Sequence, residues 1–313
     1  MSIMNGGIYM IYDCAIVGGG PAGLNAALVL GRAKRNVMLL DSGKPRNRVA
    51  HESHGYLTRD RIQPAEFRKI AYEEVHHYPS VESKQVVVET VNRTTDGFEL
   101  SLSSGEVIQA RKLLLAAGLK EVLPDIAGVH DFYGKSLFNC PFCDGWEHRD
   151  QPLVIVSDNP HLFHSIKLLY NWSKQLTVCT NGKRILDDEQ QSQLKERGIE
   201  VIEQSIAAFS GTNGQLERVQ FTDGSHIECS GGLIAPQWIP NISFQEELGY
   251  ESTELGGIVT NPMGKTTVDG VFAAGDSAYV MPSQLIFAAA SGSKAAAAVL
   301  ADLIEEDWQQ ESK

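Results

Sequence analysis

The segment Cys140-Pro141-Phe142-Cys143-Asp144-Gly145 places two thiols three positions apart beside a predicted helix start. At that spacing the sulfurs can close a disulfide, and the partial positive charge of a helix N-terminus lowers the energy of a thiolate. With five cysteines in 313 residues the chain is too sparse in sulfur for a secreted disulfide scaffold, which favours redox use of the pair over a structural bridge. Zinc is the competing reading, and it needs about four ligands. A second CxxC or an HxxxH is absent; Cys14, Cys179 and Cys229 lie in predicted strands as small buried hydrophobes, and Glu147 with His148 leaves the set incomplete. No metal site is expected.

A second pattern, Gly18-x-Gly20-x-x-Gly23, follows an apolar strand and opens a helix. The first glycine permits a tight turn, and Gly20 lets the backbone approach a pyrophosphate with no Cβ in the way. Gly23 allows helix to pack closely on strand, while the helix N-terminus supplies N–H groups. Asp41, 23 residues beyond Gly18 at the end of the next strand, is placed to accept hydrogen bonds from an adenosine ribose. Near the other end, Ala274-Gly275-Asp276-Ser277 closes a strand with an acid that can accept from a ribityl hydroxyl, while the next helix aims N–H groups at a flavin.

Two β-α-β patterns must position these residues. Strand 12–17, helix 24–33 and strand 36–40 make the first, and strand 153–156, helix 161–172 and strand 176–180 make the second. Between them the pattern predicts a helix over 64–77, antiparallel strands over 85–110 and a buried strand over 112–116, ending in a hinge at Ala117-Gly118. Residues 232–236 close the inner block, and a strand from Gly270 leads to an Ala-rich helix from Pro282 to Ile304. The half-chains echo each other. We therefore expect one domain from 1–117 and 243–313, with 118–242 inserted as a second that carries the CxxC.

Composition narrows the partners. Hydrophobic residues at 42% and charged residues at 21% imply a sizeable core and exclude a disordered or collagenous chain. With 27 Lys+Arg against 39 Asp+Glu the net charge of −12 opposes a grip on nucleic acid or an anionic membrane surface. No apolar run approaches the ~18 residues of a bilayer span. Residues 1–11 carry no basic n-region, so a cytoplasmic location is expected, with residues 1–9 an extension before the first strand.

Gly18 to Gly23, Ala116-Ala117-Gly118, and Gly270 to Asp276 followed by Gln284 together resemble the three FAD-binding stretches of the low-molecular-weight thioredoxin reductase family, over nearly the whole chain. The resemblance implies an α/β fold of two Rossmann-like, three-layer ββα nucleotide-binding domains, the second inserted into the first. It carries FAD contacts onto Gly18, Gly20, Pro21, Ala22, Gly23, Asp41, Ser42, Arg46, Asn47, His51, Gly55, Ala117, Gly118, Gly275, Asp276, Gln284 and Leu285. The CxxC-Asp is similar to that family's redox-active motif. By that likeness Cys143 faces the flavin and attacks or donates at C4a, Cys140 exchanges with the substrate disulfide, and Asp144 protonates and deprotonates the thiols. A homodimer is implied, with a thioredoxin-like protein or a small dithiol/disulfide as the partner.

Two departures qualify the resemblance. The family binds NADPH on a second glycine turn, and here that turn reads Val154-Ile155-Val156-Ser157-Asp158-Asn159-Pro160-His161, without glycine. Cβ atoms and Asp158 would crowd and repel a pyrophosphate, and the basic cluster for a 2′-phosphate is thinned to Lys183-Arg184. NADPH as second cofactor is opposed by this turn, although Ser, Asn and Pro can still build one with free N–H groups. The stretches 41–47 and 51–57, with Trp146-Glu147 and Asn171-Trp172-Ser173, resemble a divergent thioredoxin-reductase-like branch. That branch includes the dithiol oxidases of epidithio and dithiolopyrrolone natural products, in which oxygen takes the electrons. In such a protein His51 or His54 near the flavin would assist proton transfer, and Arg46 would reach the FAD phosphates. The expected activity is a FAD-dependent dithiol/disulfide oxidoreductase acting on a protein or small disulfide. An oxygen-dependent dithiol oxidase is the alternative, and a non-catalytic FAD sensor is opposed by the intact CxxC-Asp.

Overall fold

The computed structural model describes residues 3–4, 7–8, 10–280 and 284–311. The expected helix start at Pro282 therefore lies outside the described residues. Within the extension, Ile3–Met4 pairs antiparallel with Gly7–Ile8. The chain divides into two compact units: Met1–Arg48, Pro64–Lys120 and Trp238–Lys313 in the first, Val49–Gln63 and Glu121–Gln237 in the second. The segment Val49–Gln63 thus groups with the cysteine-bearing unit.

The first unit is built on a seven-stranded sheet. Ile11–Val17 lies at its centre, parallel to Val37–Asp41 on one side and Val107–Leu115 on the other, because its side chains are apolar on both faces. Val107–Leu115 is one nine-residue strand where the sequence suggested a break at Arg111-Lys112. Its first half pairs antiparallel with Gly97–Leu102 and its last three residues pair parallel with Val271–Ala273. The charged pair is accommodated by partners: Lys112, 3% exposed, meets Glu306, and Arg111 meets Asp13, Glu306 and Asp307.

Pro21–Arg32 starts with proline in its first turn, where the missing N–H costs nothing. Its apolar face packs with the helix Leu285–Glu311 in a core of Ala22, Ala26, Leu30, Ala295, Val299 and Leu303. Gly292 makes that approach feasible, since a Cβ there would stand 2.0 Å from the Ala22 carbonyl oxygen. An 18-residue stretch of the last helix has a mean hydropathy of 1.3, long and apolar enough by length and composition alone to cross a bilayer although Ser, Gly and Lys interrupt its apolar run; Ala295, Val299 and Leu303 of the same helix are buried in the core.

The second unit repeats the plan with a five-stranded parallel sheet in the order Leu137–Phe138, Gly231–Ile234, Leu153–Val156, Leu176–Cys179, Glu200–Ile202. The helices Leu162–Leu169 and Asp188–Lys195 follow its strands, the second opened by a capping box between Asp187 and Gln190. A three-stranded antiparallel sheet, 206–212, 215–221 and 226–228, completes it. Cys14 and Cys179 lie buried in strands as expected, whereas Cys229 is buried one residue past the strand His226–Glu228. Burial pushes the Cys179 thiol up to about 12 and the Cys229 thiol up to about 11, so both stay protonated.

Candidate active site

In the first unit the glycine turn has the geometry its sequence implies. Gly18 has φ +113°, and a Cβ there would fall 2.3 Å from the Ala116 carbonyl oxygen; one at Gly23 would fall 1.9 Å from that of Gly18. Gly20 differs. Its Cβ position meets nothing within 4 Å, and Gly20 caps the helix Pro21–Arg32 with no side chain on the first-turn donors, Ala22 and Gly23 among them. The turn is an open cradle of N–H groups at the positive end of a twelve-residue helix.

Asp41, 8% exposed, closes the adjoining strand. Its Oδ2 accepts from Arg68 Nη2 at 2.7 Å and from the Tyr72 hydroxyl at 3.1 Å, while Arg68 Nη1 donates to the Gly19 carbonyl at 3.0 Å. Burial raises the Asp41 carboxyl, but the Arg68 guanidinium, the Gly19 N–H and the Tyr72 hydroxyl outweigh it and hold the group below its ordinary value. Sequence reasoning found Asp41 and missed Arg68 and Tyr72; their i,i+4 spacing on the helix Pro64–His76 was the available signal.

Farther along the unit, Arg46 Nη2 lies 3.2 Å from Asp276 Oδ2, and its guanidinium sits 5.3 Å above the Trp238 ring. Gly275 (φ +65°) donates to Ser291 Oγ at 2.7 Å, and Gly118 donates to Ser277 Oγ at 2.8 Å. Asn241 Nδ2 donates to the Ala117 carbonyl at 3.2 Å. Gln284 and Leu285 stand at the start of the long helix, and Ser42 and Asn47 flank Arg46. The structure thus gathers most of the expected FAD residues in one unit, while His51 and Gly55 belong to the other.

In the second unit Cys140 and Cys143 are joined in a disulfide, their Cα atoms 5.3 Å apart. Cys140 caps the single turn Pro141–Asp144, and its carbonyl accepts from the N–H groups of Cys143 at 3.0 Å and Asp144 at 3.2 Å. Phe142 and Trp146 beside the pair are 61% and 58% exposed. Phe142 packs edge-on against Trp172, and the Arg149 guanidinium lies 4.1 Å above Trp146. Burial pushes the Asp144 carboxyl up to about 6, with His54 opposing and Glu147 adding to the shift.

The other turn of this unit, after Leu153–Val156, uses its donors internally. Ser157 Oγ accepts from the Asn159 N–H at 3.1 Å, Asn159 Oδ1 from His161 N–H at 2.8 Å, and the Asn159 carbonyl from Leu162 N–H at 3.0 Å. Lys183 Nζ lies 2.5 Å from Asp158 Oδ2, and Arg184 pairs with Asp188 at 2.7 Å. The free N–H groups that Ser, Asn and Pro were expected to leave here are thus largely taken.

Residues 12–292 match the model for the pyridine nucleotide-disulphide oxidoreductases. The chain belongs to that family. Among its relatives is Thioredoxin reductase aclD of Aspergillus oryzae, 32% identical over 305 residues that cover 94% of this chain and 96% of the relative. A Bacillus anthracis structure assigned to thioredoxin reductase TrxB is 43% identical with a TM-score of 0.91, covering 95% of this chain and 99% of that one. The crystal structure of HlmI is 33% identical with a TM-score of 0.92, covering 98% and 97%. The protein is accordingly a thioredoxin-reductase-like flavin disulfide oxidoreductase with two Rossmann-like domains. FAD is the cofactor of this oxidoreductase family, and the first unit fits it: Gly20 leaves room for a pyrophosphate where a Cβ would intrude, and Asp41, Arg46 and Asp276 line the same unit. NADPH is the family's usual second cofactor.

Proposed function

We infer that this oxidoreductase takes its electrons from a dithiol rather than from NADPH, forming a disulfide in the substrate with dioxygen as terminal acceptor. The observation that carries this reading is the turn at 157–161, whose N–H donors are bonded to Ser157 and Asn159 and whose neighbouring cation, Lys183, is held by Asp158. A dinucleotide pyrophosphate needs those donors unpaired and that carboxylate absent.

In the proposed reaction a substrate thiolate attacks Cys140 Sγ, the Cys140–Cys143 bond breaks, and Cys143 departs as a thiolate. The second substrate thiolate attacks the mixed disulfide and releases Cys140, so the substrate loses two electrons and two protons and the enzyme gains them. FAD, held by the first unit, would supply the two-electron acceptor for re-closing the Cys140–Cys143 pair, with dioxygen as terminal oxidant reduced by the two electrons and two protons to hydrogen peroxide. Asp144, adjoining Cys143, holds a proton for the departing sulfur. Exposed Phe142 and Trp146 offer an apolar, aromatic approach to the disulfide, which supports a small dithiol as the substrate. The names of relatives such as Thioredoxin reductase aclD support the second reading, reduction of a thioredoxin-like protein.

Anaerobic titration of the FAD-loaded protein separates the two. Bleaching of the flavin by dithiothreitol but not by equimolar NADPH is the expected result, with peroxide released when air is admitted. Rapid stoichiometric bleaching by NADPH would return the reductase to first place.

A further inference from the structure

The loop Val49–Gln63 is folded on itself. Ser53 and Ile62 form an antiparallel bridge with an N–H···O distance of 2.8 Å, and the Gly55 N–H donates to Asp60 Oδ1 at 2.9 Å. Gly55, Thr58 and Arg61 turn it through φ angles of +75°, +75° and +66°. This construction holds His54 with its side chain 13% exposed.

Carboxylates surround that imidazole. Glu52 Oε2 lies 3.9 Å and Glu147 Oε1 3.8 Å from Nε2, and Asp60 Oδ1 lies 3.8 Å from Nδ1. Glu52 and Asp60 come from its own loop, while Glu147 comes from the segment that carries the disulfide and faces it together with Asp144. The separations exceed a direct hydrogen bond and suit one bridging water or a small side-chain rotation. Among the described residues no group of three such side chains is spaced to hold a metal ion.

We propose that His54 is the proton-relay residue of the disulfide centre, passing protons between Asp144 and the water-exposed carboxylates Glu147 and Glu52. The proposal rests on the reading above in which a substrate dithiol is the electron donor. Opening the Cys140–Cys143 bond takes up two protons along with two electrons, and closing it returns both. Asp144 is the carboxyl next to Cys143, half-buried, and desolvation raises it to about 6. An imidazole carries a proton in and out at one nitrogen and the other, so His54, with Glu147 and Glu52 both within 3.9 Å of Nε2, offers the partly covered Asp144 a route to those carboxylates. Acting through Asp144, it is a positioning and relay group rather than one that touches sulfur.

The test is stopped-flow reduction of the full-length FAD-loaded protein by dithiothreitol without oxygen, followed from mildly acid to mildly alkaline pH. His54→Gln is expected to slow flavin bleaching at neutral pH by roughly tenfold to a hundredfold, at the lower end of proton-transfer effects, and to flatten the pH profile. Added imidazole should restore part of the rate in His54→Gly and none in Asp144→Asn. Glu147→Gln, which leaves the loop intact, should shift the acid limb to lower pH, because Glu147 raises the Asp144 carboxyl. An unchanged rate and profile in His54→Gln, or a slowing that imidazole does not relieve while Glu147→Gln keeps the wild-type limb, overturns the relay alone. Failure of dithiothreitol to bleach the wild type removes the dithiol reading, and the relay with it.

Discussion

Lys183 Nζ is 2.5 Å from Asp158 Oδ2, so a cation beside the second nucleotide turn is neutralised by a carboxylate of that turn. The pair is exposed and contributes little to stability, but it changes what the turn can bind. NADPH would lose both a phosphate partner and the N–H donors bonded to Ser157 and Asn159. We expect NADPH to reduce the flavin at least ten- to a hundredfold less efficiently than in a dedicated reductase, a difference of about 1.4 kcal/mol per factor of ten. Replacing Ser157 and Asn159 with glycine should recover little unless Asp158 is also removed, as isothermal titration with NADPH would reveal.

Gly20 and Gly23 lie three residues apart and should respond oppositely. Gly20→Val puts its side chain into open space, so the folded apoprotein should keep its melting temperature while retention of FAD falls. Gly23→Ala forces a Cβ to within 1.9 Å of the Gly18 carbonyl oxygen, and should destabilise the fold itself by roughly 1–3 kcal/mol or more. Flavin absorbance after gel filtration and thermal melts of the apoproteins distinguish them.

Removing Arg68 leaves Asp41 buried with the Tyr72 hydroxyl and Gly19 N–H as its remaining partners. Arg68→Met is expected to cost on the order of 2–4 kcal/mol at neutral pH. Because the Asp41 carboxyl is held below its ordinary 3.8 in the folded state, its stabilising contribution is present above that value and fades as the pH falls through the folded value. The gap between wild type and variant in urea melts should therefore narrow in acid.

Asp144 has the opposite sign. Its carboxyl moves from 3.8 to about 6 on folding, so stability from its protonated form is complete below 3.8 and lost as the pH rises through about 6. Asp144→Asn should stabilise the protein by on the order of 1–2 kcal/mol above that pH, have little effect in acid, and slow thiol exchange throughout. Melting curves on either side of the transition, paired with dithiothreitol kinetics, check both halves.

If Cys143 is the sulfur that meets the flavin, Cys140→Ser should leave a thiolate at Cys143 and give a long-wavelength charge-transfer band. Cys143→Ser should give less. A stronger band in Cys143→Ser would invert the two roles.

What the sequence determined by itself is local: the strand–glycine turn–helix at 11–32, the acid ending Val37–Asp41, the CxxC at a helix start and the echo of the β-α-β pattern. Each depends on residues within a few turns of one another, where periodicity, φ preference and capping act directly. The tertiary structure alone brought Arg68 to Asp41 across 27 residues, joined Arg46 to Asp276 across 230, ran Val107–Leu115 through Arg111-Lys112 as one strand and grouped Val49–Gln63 with the cysteines. Those pairings are set by where packed elements bring distant side chains: the i,i+4 spacing puts Arg68 and Tyr72 on one helix face, but only packing decides that the face meets Asp41.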